Sequence, residues 1–114
     1  MEAQELRLDN WICDVFDQPR QVTFGTFRYL EEADEEQKKA VCPIPLTEKI
    51  LLNSGFDNIR GYIQHSTSSI LVSAIHSNGE VHLSIGNFPV SVRYVHEIQN
   101  LFFSLTKQEI DINL

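Results

Sequence analysis

A chain of 114 residues, 42% hydrophobic and 22% charged, predicts one globular domain with its own core and excludes wholesale disorder and fibrous repeats. Its formal net charge of −7 repels phosphate backbones, so no direct nucleic-acid binding is expected. No apolar run approaches the roughly 18 to 20 residues that span a bilayer, and the acidic start MEAQELRLDN lacks signal-peptide regions, so no membrane contact and a cytoplasmic location are expected.

The net charge lies in residues 1–36, where ten acids face Arg7, Arg20 and Arg28. Within this part, LRLDNWICDVF and, after the Asp17-Gln18-Pro19-Arg20 turn, QVTFGTFRYL read as two strands of an opening hairpin, being rich in β-branched and aromatic residues. EEADEEQKK has no apolar periodicity and reads as a solvated loop or a frayed helical turn. Cys13 and Cys42 are too few and too far apart for a disulfide framework or a metal knuckle, and read as reduced, partly buried thiols.

CPIPLTEKILLNSGF predicts a short helix from Thr47 to Ser54. Pro43 and Pro45 keep the approach extended, Thr47 caps the free amides, Glu48 suits the positive end of the dipole, and Gly55 ends the helix in the left-handed conformation. From Ile59 onward the chain reads as an antiparallel meander. A turn centred on Asn78-Gly79 opposes Ala74 to Leu83 and Val72 to Ile85, and a turn at Gly86-Asn87 opposes Ile85 to Phe88, Leu83 to Val90 and Val81 to Val92. Both place Ile70, Val72, Ala74, Val81, Leu83, Ile85, Phe88, Val90 and Val92 on one apolar face. STSS, Ser66 to Ser69, reads as a polar hairpin loop.

VHEIQNLFF opens the last helix, whose stripe of Tyr94, Ile98, Leu101, Phe102 and Leu105, with Val95 at its edge, is expected to cap that face. His96, Asn100 and Phe103 fall on the opposite side. His96-Glu97 invites comparison with the His-Glu-x-x-His helix of zinc proteases, but Asn100 stands where the second imidazole is needed. No metal, cofactor or catalytic residue is therefore assigned. Gly25, Gly55, Gly61, Gly79 and Gly86 are scattered and form no phosphate loop. Two surface features suit a partner: Phe103 with His96 and Asn100 on the helix, and the acidic run Glu31, Glu32, Asp34, Glu35 and Glu36.

ELRLDNWI, IPLTEKILLNSGF and RYVHEIQNLFFSLT together resemble a family of small proteins of Bacteroidetes and their phages and mobile elements. Its members show a Leu-Arg-Ile-Gly-Asn-type opening, a Pro-Leu-Thr-Glu-Glu-Ile-Leu-Leu helix ending in Gly-Phe, and a closing Tyr-Val-His-Gln-Leu-Gln-Asn-Leu-Tyr-Phe-Ala-Leu-Thr helix. The matches are Leu6 to Trp11, Pro45 to Phe56 and Tyr94 to Thr106. Asp9 stands where the family has Gly, a mild change because Asp tolerates the left-handed conformation. Lys107-Gln108 replaces Gly-Glu, which implies a different end to the helix. The resemblance implies a genomic setting and carries no site residue. In its light the His-Glu pair is a variant of the family's His-Gln helix, with Asn100 in its usual place.

These readings converge on an α+β domain in which an antiparallel, curved meander, either open or barrel-like, packs against a C-terminal helix, with one additional short helix. The expected function is a non-catalytic protein-interaction module of phage or mobile-element origin that binds a host or phage protein. Two alternatives stand beside it: an acidic, DNA-mimicking inhibitor of a nucleic-acid enzyme, and a small enzyme with an unrecognised site around His65, His76 or His82.

Overall fold

In a computed structural model, which describes residues 1, 3–59, 62–65, 70–75, 78–85 and 88–114, the chain begins with a 3-10 turn, Ala3–Glu5. It continues through β1 (Trp11–Cys13), β2 (Pro19–Gln21), α1 (Phe24–Glu32), α2 (Glu35–Lys39) and β3 (Cys42–Pro43). There follow α3 (Glu48–Asn53), β4 (Phe56–Ile59), β5 (Tyr62–His65), β6 (Ile70–Ile75), β7 (Val81–Ile85), β8 (Phe88–Val92) and α4 (Val95–Thr106). The fold is α+β, with antiparallel sheets and a C-terminal helix. Its contacts divide it into two units, Met1–Ile44 with Tyr94–Leu101, and Pro45–Arg93 with Phe102–Leu114.

In the first unit, a three-stranded antiparallel sheet has the order β2-β1-β3. The opening hairpin is present but short: Trp11 pairs with Gln21 and Cys13 with Pro19. Beyond it Val22 donates to the Asn10 carbonyl at 2.8 Å, and Thr23 then becomes the N-cap of α1. QVTFGTFRYL is thus helical from Phe24, where a strand was expected. A strand would put Phe24 and Phe27 on opposite faces. The helix instead sends Leu30 into the cluster of Leu6, Ile12, Val22 and Val41, with Phe27 packed against it. The β propensity of Thr and Phe yields here to a cap and a three-residue apolar spacing. Of the two expectations for the acidic stretch, loop or helical turn, the helical one holds: Glu31 and Glu32 end α1 and Glu35–Lys39 form α2. Asp34 caps α2 by accepting from Gln37 N at 2.8 Å, and the Gln37 side chain accepts from Asp34 N at 3.0 Å, a reciprocal capping box.

In the second unit, Thr47 caps α3 by accepting from Ile50 N at 3.2 Å, and Gly55 adopts φ 95° just after the Ser54 C-cap. The short helix is therefore where the sequence places it. The five-stranded sheet runs in chain order, β4-β5-β6-β7-β8, with β4 and β8 as its edges, so it is open and not a closed barrel. The β7–β8 register matches expectation: Ile85 faces Phe88, Leu83 faces Val90 and Val81 faces Val92. The β6–β7 register does not. Val72 faces Leu83 and Ile70 faces Ile85, two residues from the expected pairing, with an irregularity between Val72 and Ala74. Asn78 Oδ1 accepts from Glu80 N at 3.0 Å and Gly79 has φ 89°, so Asn-Gly turns the chain through a side-chain contact and pairing begins at Ile75 opposite Val81. The offset of two keeps Ile70 and Val72 on their expected face, whereas beyond the irregularity Ala74 pairs with His82 and Ile75 with Val81, an offset of one. Ile70, Val72, Val81, Leu83 and Val92 are buried as expected, whereas Phe88 is 76% exposed. The Gly86-Asn87 and Ser66–Ser69 turns lie outside the described residues.

Helix α4 contributes to both units. Its buried side is Val95, His96, Ile98, Gln99 and Phe102, while Leu105 is 48% exposed. The stripe is rotated from the expected one, because the helix face assigned to solvent is covered in the first unit by the segment before β1. In the second unit, Phe102 meets the His65 ring at a centroid distance of 4.8 Å, and Phe56 meets the same ring at 5.1 Å.

Candidate functional site

The first unit carries a polar network that joins the two ends of the sequence motif pattern. Arg7 N donates to Asn10 Oδ1 at 2.7 Å. The Asn10 amide donates to Asn100 Oδ1 at 3.0 Å, and Arg7 Nε donates to the same oxygen at 2.8 Å. Asn100 Nδ2 in turn donates to the Glu5 carbonyl at 3.2 Å. Gln99 Oε1 accepts from Trp11 N at 2.8 Å, and Gln99 Nε2 donates to the Asp9 carbonyl at 3.3 Å. Asn10 and Gln99 are almost fully buried, so each bond is made where a missing partner is costly. Asn100 is therefore half-buried and engaged within the chain, not a solvent-facing contact as the sequence reading placed it.

His96 is likewise corrected: it is 5% exposed and stacks on Tyr94 at a centroid distance of 5.9 Å. Its Nδ1 is buried without a hydrogen-bond partner among the described residues. Burial lowers the pKa of the imidazole, against the raising influence of Glu97 and Glu5. The Asn100 oxygen is occupied by Arg7 and Asn10, and among the described residues no three His, Cys, Asp or Glu side chains group as metal ligands. Phe103 is half-buried, with its carbonyl accepting from Lys107 N at 2.8 Å.

Of the remaining histidines, His65 lies on β5 and His82 on β7. His65 is buried between Phe56 and Phe102 and lines a cavity of about 410 Å³ with Ser54, Gly55, Glu109 and Asn113. The Ser54 hydroxyl accepts from Asn113 N at 2.9 Å. His82 sits 3.2 Å from Glu80, and His76 lies outside the described residues.

A groove of about 320 Å³ opens in the first unit. Ile12 and Val41 line it together with Val15, Phe16 and Tyr29, and Thr26, Asp14 and Arg20 complete the wall. The β1–β2 turn builds it. Asp14 Oδ1 accepts from Phe16 N at 2.9 Å and from Gln18 N at 3.1 Å, Asp14 pairs with Arg20, and Asp17 closes the turn in the left-handed conformation at φ 58°. Desolvation raises the Asp14 carboxyl, but the Gln18 and Phe16 amides and Arg20 outweigh it and hold the pKa below its usual value. The turn so pinned leaves Phe16 76% exposed. This feature was missed in the sequence, where Val15-Phe16 was absorbed into a strand; an apolar pair immediately before the turn formers was the signal.

The acidic run adjoins the groove through Tyr29. This ring also lines a cavity of about 240 Å³ with Glu32, Ala33 and Gln37, and its hydroxyl donates to the Gln37 carbonyl at 3.3 Å. Glu31, Glu32, Asp34, Glu35 and Glu36 are all exposed. Glu32 lies 3.5 Å from Arg28 and Glu35 lies 3.8 Å from Lys38, so part of the run serves local pairing while its charge still faces solvent. Among the described residues, no helix is long and apolar enough to cross a membrane. Compared with protein-family models, with curated proteins and with solved structures, the chain matches none.

Proposed function

We propose that this chain is a cytoplasmic, non-catalytic protein-interaction module of a phage or mobile element, and that its recognition surface is the groove beside the β1–β2 turn. The observation that carries the reading is Phe16, held 76% exposed by a turn whose every polar contact is local. Exposed aromatics beside an apolar cleft are the usual anchors of protein recognition. The occupant is a segment of a host or phage protein with one large apolar side chain flanked by Lys or Arg. The apolar side chain enters between Phe16 and Tyr29, and the basic flanks meet Asp17 and the run from Glu31 to Glu36. The origin rests on the resemblance. It is supported by Asp9 and Lys107, which stand where the family has Gly and have φ 68° and 60°, the conformation that glycine favours.

Selection from a random 12-residue peptide display library tests this reading. Enriched peptides are expected to combine an aromatic or branched aliphatic residue with neighbouring Lys or Arg, and to bind Phe16→Asp at least tenfold more weakly than wild type. Peptides without basic residues, or peptides that bind Phe16→Asp unchanged, would overturn it.

A further inference from the structure

Cys13 and Cys42 are far apart in sequence and face one another in the fold. They are paired Cα positions across the antiparallel β1–β3 ladder, and both are free thiols, Cys13 half-buried and Cys42 exposed. Facing residues on adjacent antiparallel strands have Cβ atoms about 4.5–5.5 Å apart, and a disulfide needs about 3.5–4.5 Å. The gap closes with a small shift, and β3 is suited to make it: it is the two-residue edge strand Cys42–Pro43 of its sheet. Cys42 Sγ donates to the Lys39 carbonyl at 3.2 Å, so its thiol is held at the protein surface within the same turn.

We propose that Cys13 and Cys42 are a redox pair that a peroxide closes to an intrachain disulfide. The exposed Cys42 thiolate attacks hydrogen peroxide first, forming a sulfenic acid and releasing hydroxide. Cys13 then attacks the Cys42 sulfur, the S–O bond breaks, and the hydroxyl leaves with the Cys13 proton as water. Two thiols and one peroxide thus give one disulfide and two waters. Desolvation, then Asp17, Cys42 and Asp14, raise the Cys13 pKa, so the closing step accelerates as pH rises. The new bond ties β1 to β3 around the segment that carries α1, α2, Leu30 and Val41, which stiffens the groove-bearing unit.

The test treats reduced wild-type protein with one equivalent of hydrogen peroxide and reads intact mass, free thiols and Tm. The expected result is a monomer about 2 Da lighter with no titratable thiol and a Tm raised by roughly 10 °C, all reversed by dithiothreitol. In Cys13→Ser, dimedone labels Cys42; in Cys42→Ser, Cys13 keeps its thiol. Disulfide-linked dimers alone, Cys42 sulfinic acid with Cys13 still a thiol, or no thiol consumption would each overturn the proposal. If a variant fails to fold, the wild-type mass and peptide map decide by themselves.

Discussion

Replacing Asn100 tests whether the network around it is structural. Its amide oxygen accepts from Arg7 Nε at 2.8 Å and from Asn10 Nδ2 at 3.0 Å, and its nitrogen donates to the Glu5 carbonyl at 3.2 Å. Asn100→Ala removes all three bonds. Asn10 is fully buried, so its amide loses a partner that water cannot replace, at a cost of about 1–3 kcal/mol. The Arg7 guanidinium is only half-buried and keeps its bond to the Gln99 carbonyl at 3.1 Å, so its loss adds about 1 kcal/mol. The sum is about 2–4 kcal/mol, and the urea midpoint by circular dichroism should fall accordingly at unchanged m. Asn100→Asp separates acceptor from donor. Its carboxylate still accepts from Arg7 and Asn10, now with charge assistance, while the donor to the Glu5 carbonyl becomes an acceptor that must turn from it toward water at this exposed contact. Its cost should stay within about 1 kcal/mol. A cost below about 0.5 kcal/mol for Ala, or equal costs for Ala and Asp, would refute the assignment.

Stability should also fall on acidification. His96 and His65 both have pKa values lowered by burial, opposed by Glu97 and Glu5 for the first and by Asp57 for the second. The folded state therefore holds each imidazole neutral, and the unfolded chain takes up its proton near pH 6.5. The stabilisation is complete above that pH and is lost as pH falls below it, with a slope of at most about 1.4 kcal/mol per pH unit for each group. His96→Phe keeps a ring against Tyr94 and should flatten the unfolding free energy between about pH 6.5 and 5; an unchanged slope would count against a neutral buried His96. Lys107→Gly should stabilise by about 0.5–1 kcal/mol, because Lys107 holds φ 60° at a conformational cost that Gly avoids. Calorimetry that shows no gain would contradict it. Gly55→Ala should destabilise by about 1–2 kcal/mol, since φ is 95°, a conformation that a side chain strains; a neutral result in thermal melts would exclude that strain.

The parts of the fold legible in the sequence are those fixed by local stereochemistry. Thr47, Gly55 and the prolines before them define α3 because capping, left-handed geometry and a missing amide act within a few residues. The β7–β8 register was likewise legible, from the Gly86-Asn87 turn signal and the single apolar face it implies. The QVTFGTFRYL segment was not, because its composition favours a strand and only Leu6, Ile12 and Val41, distant in sequence, make the helix the better burial. The end of α4 was misread for a related reason. A Lys where the family has Gly implies a different end to the helix, yet Lys107 has φ 60° and its amide donates to the Phe103 carbonyl at 2.8 Å. The left-handed conformation is maintained at a local cost that the continuing chain offsets, as Ile110 and Ile112 are buried just beyond.

The site shows how periodicity misleads when a helix has two buried faces. An amphipathic helix is read by assigning its polar side to solvent, and on that rule His96, Gln99 and Asn100 belong outside. Asn10 and Gln99 show what the rule omits: a polar face is buried readily when another segment supplies matching donors and acceptors. Here Asp9 turns the chain at φ 68° so that its own carbonyl and the Trp11 amide both meet Gln99. Polar residues at helical spacing, opposite a polar N-terminal segment, therefore signalled internal pairing rather than a contact surface. The converse holds for Phe16. A large ring placed in a turn has no alternation to bury it, and its exposure follows from the turn itself; an aromatic stranded at a turn is thus a stronger pointer to a partner than a polar residue on a helix.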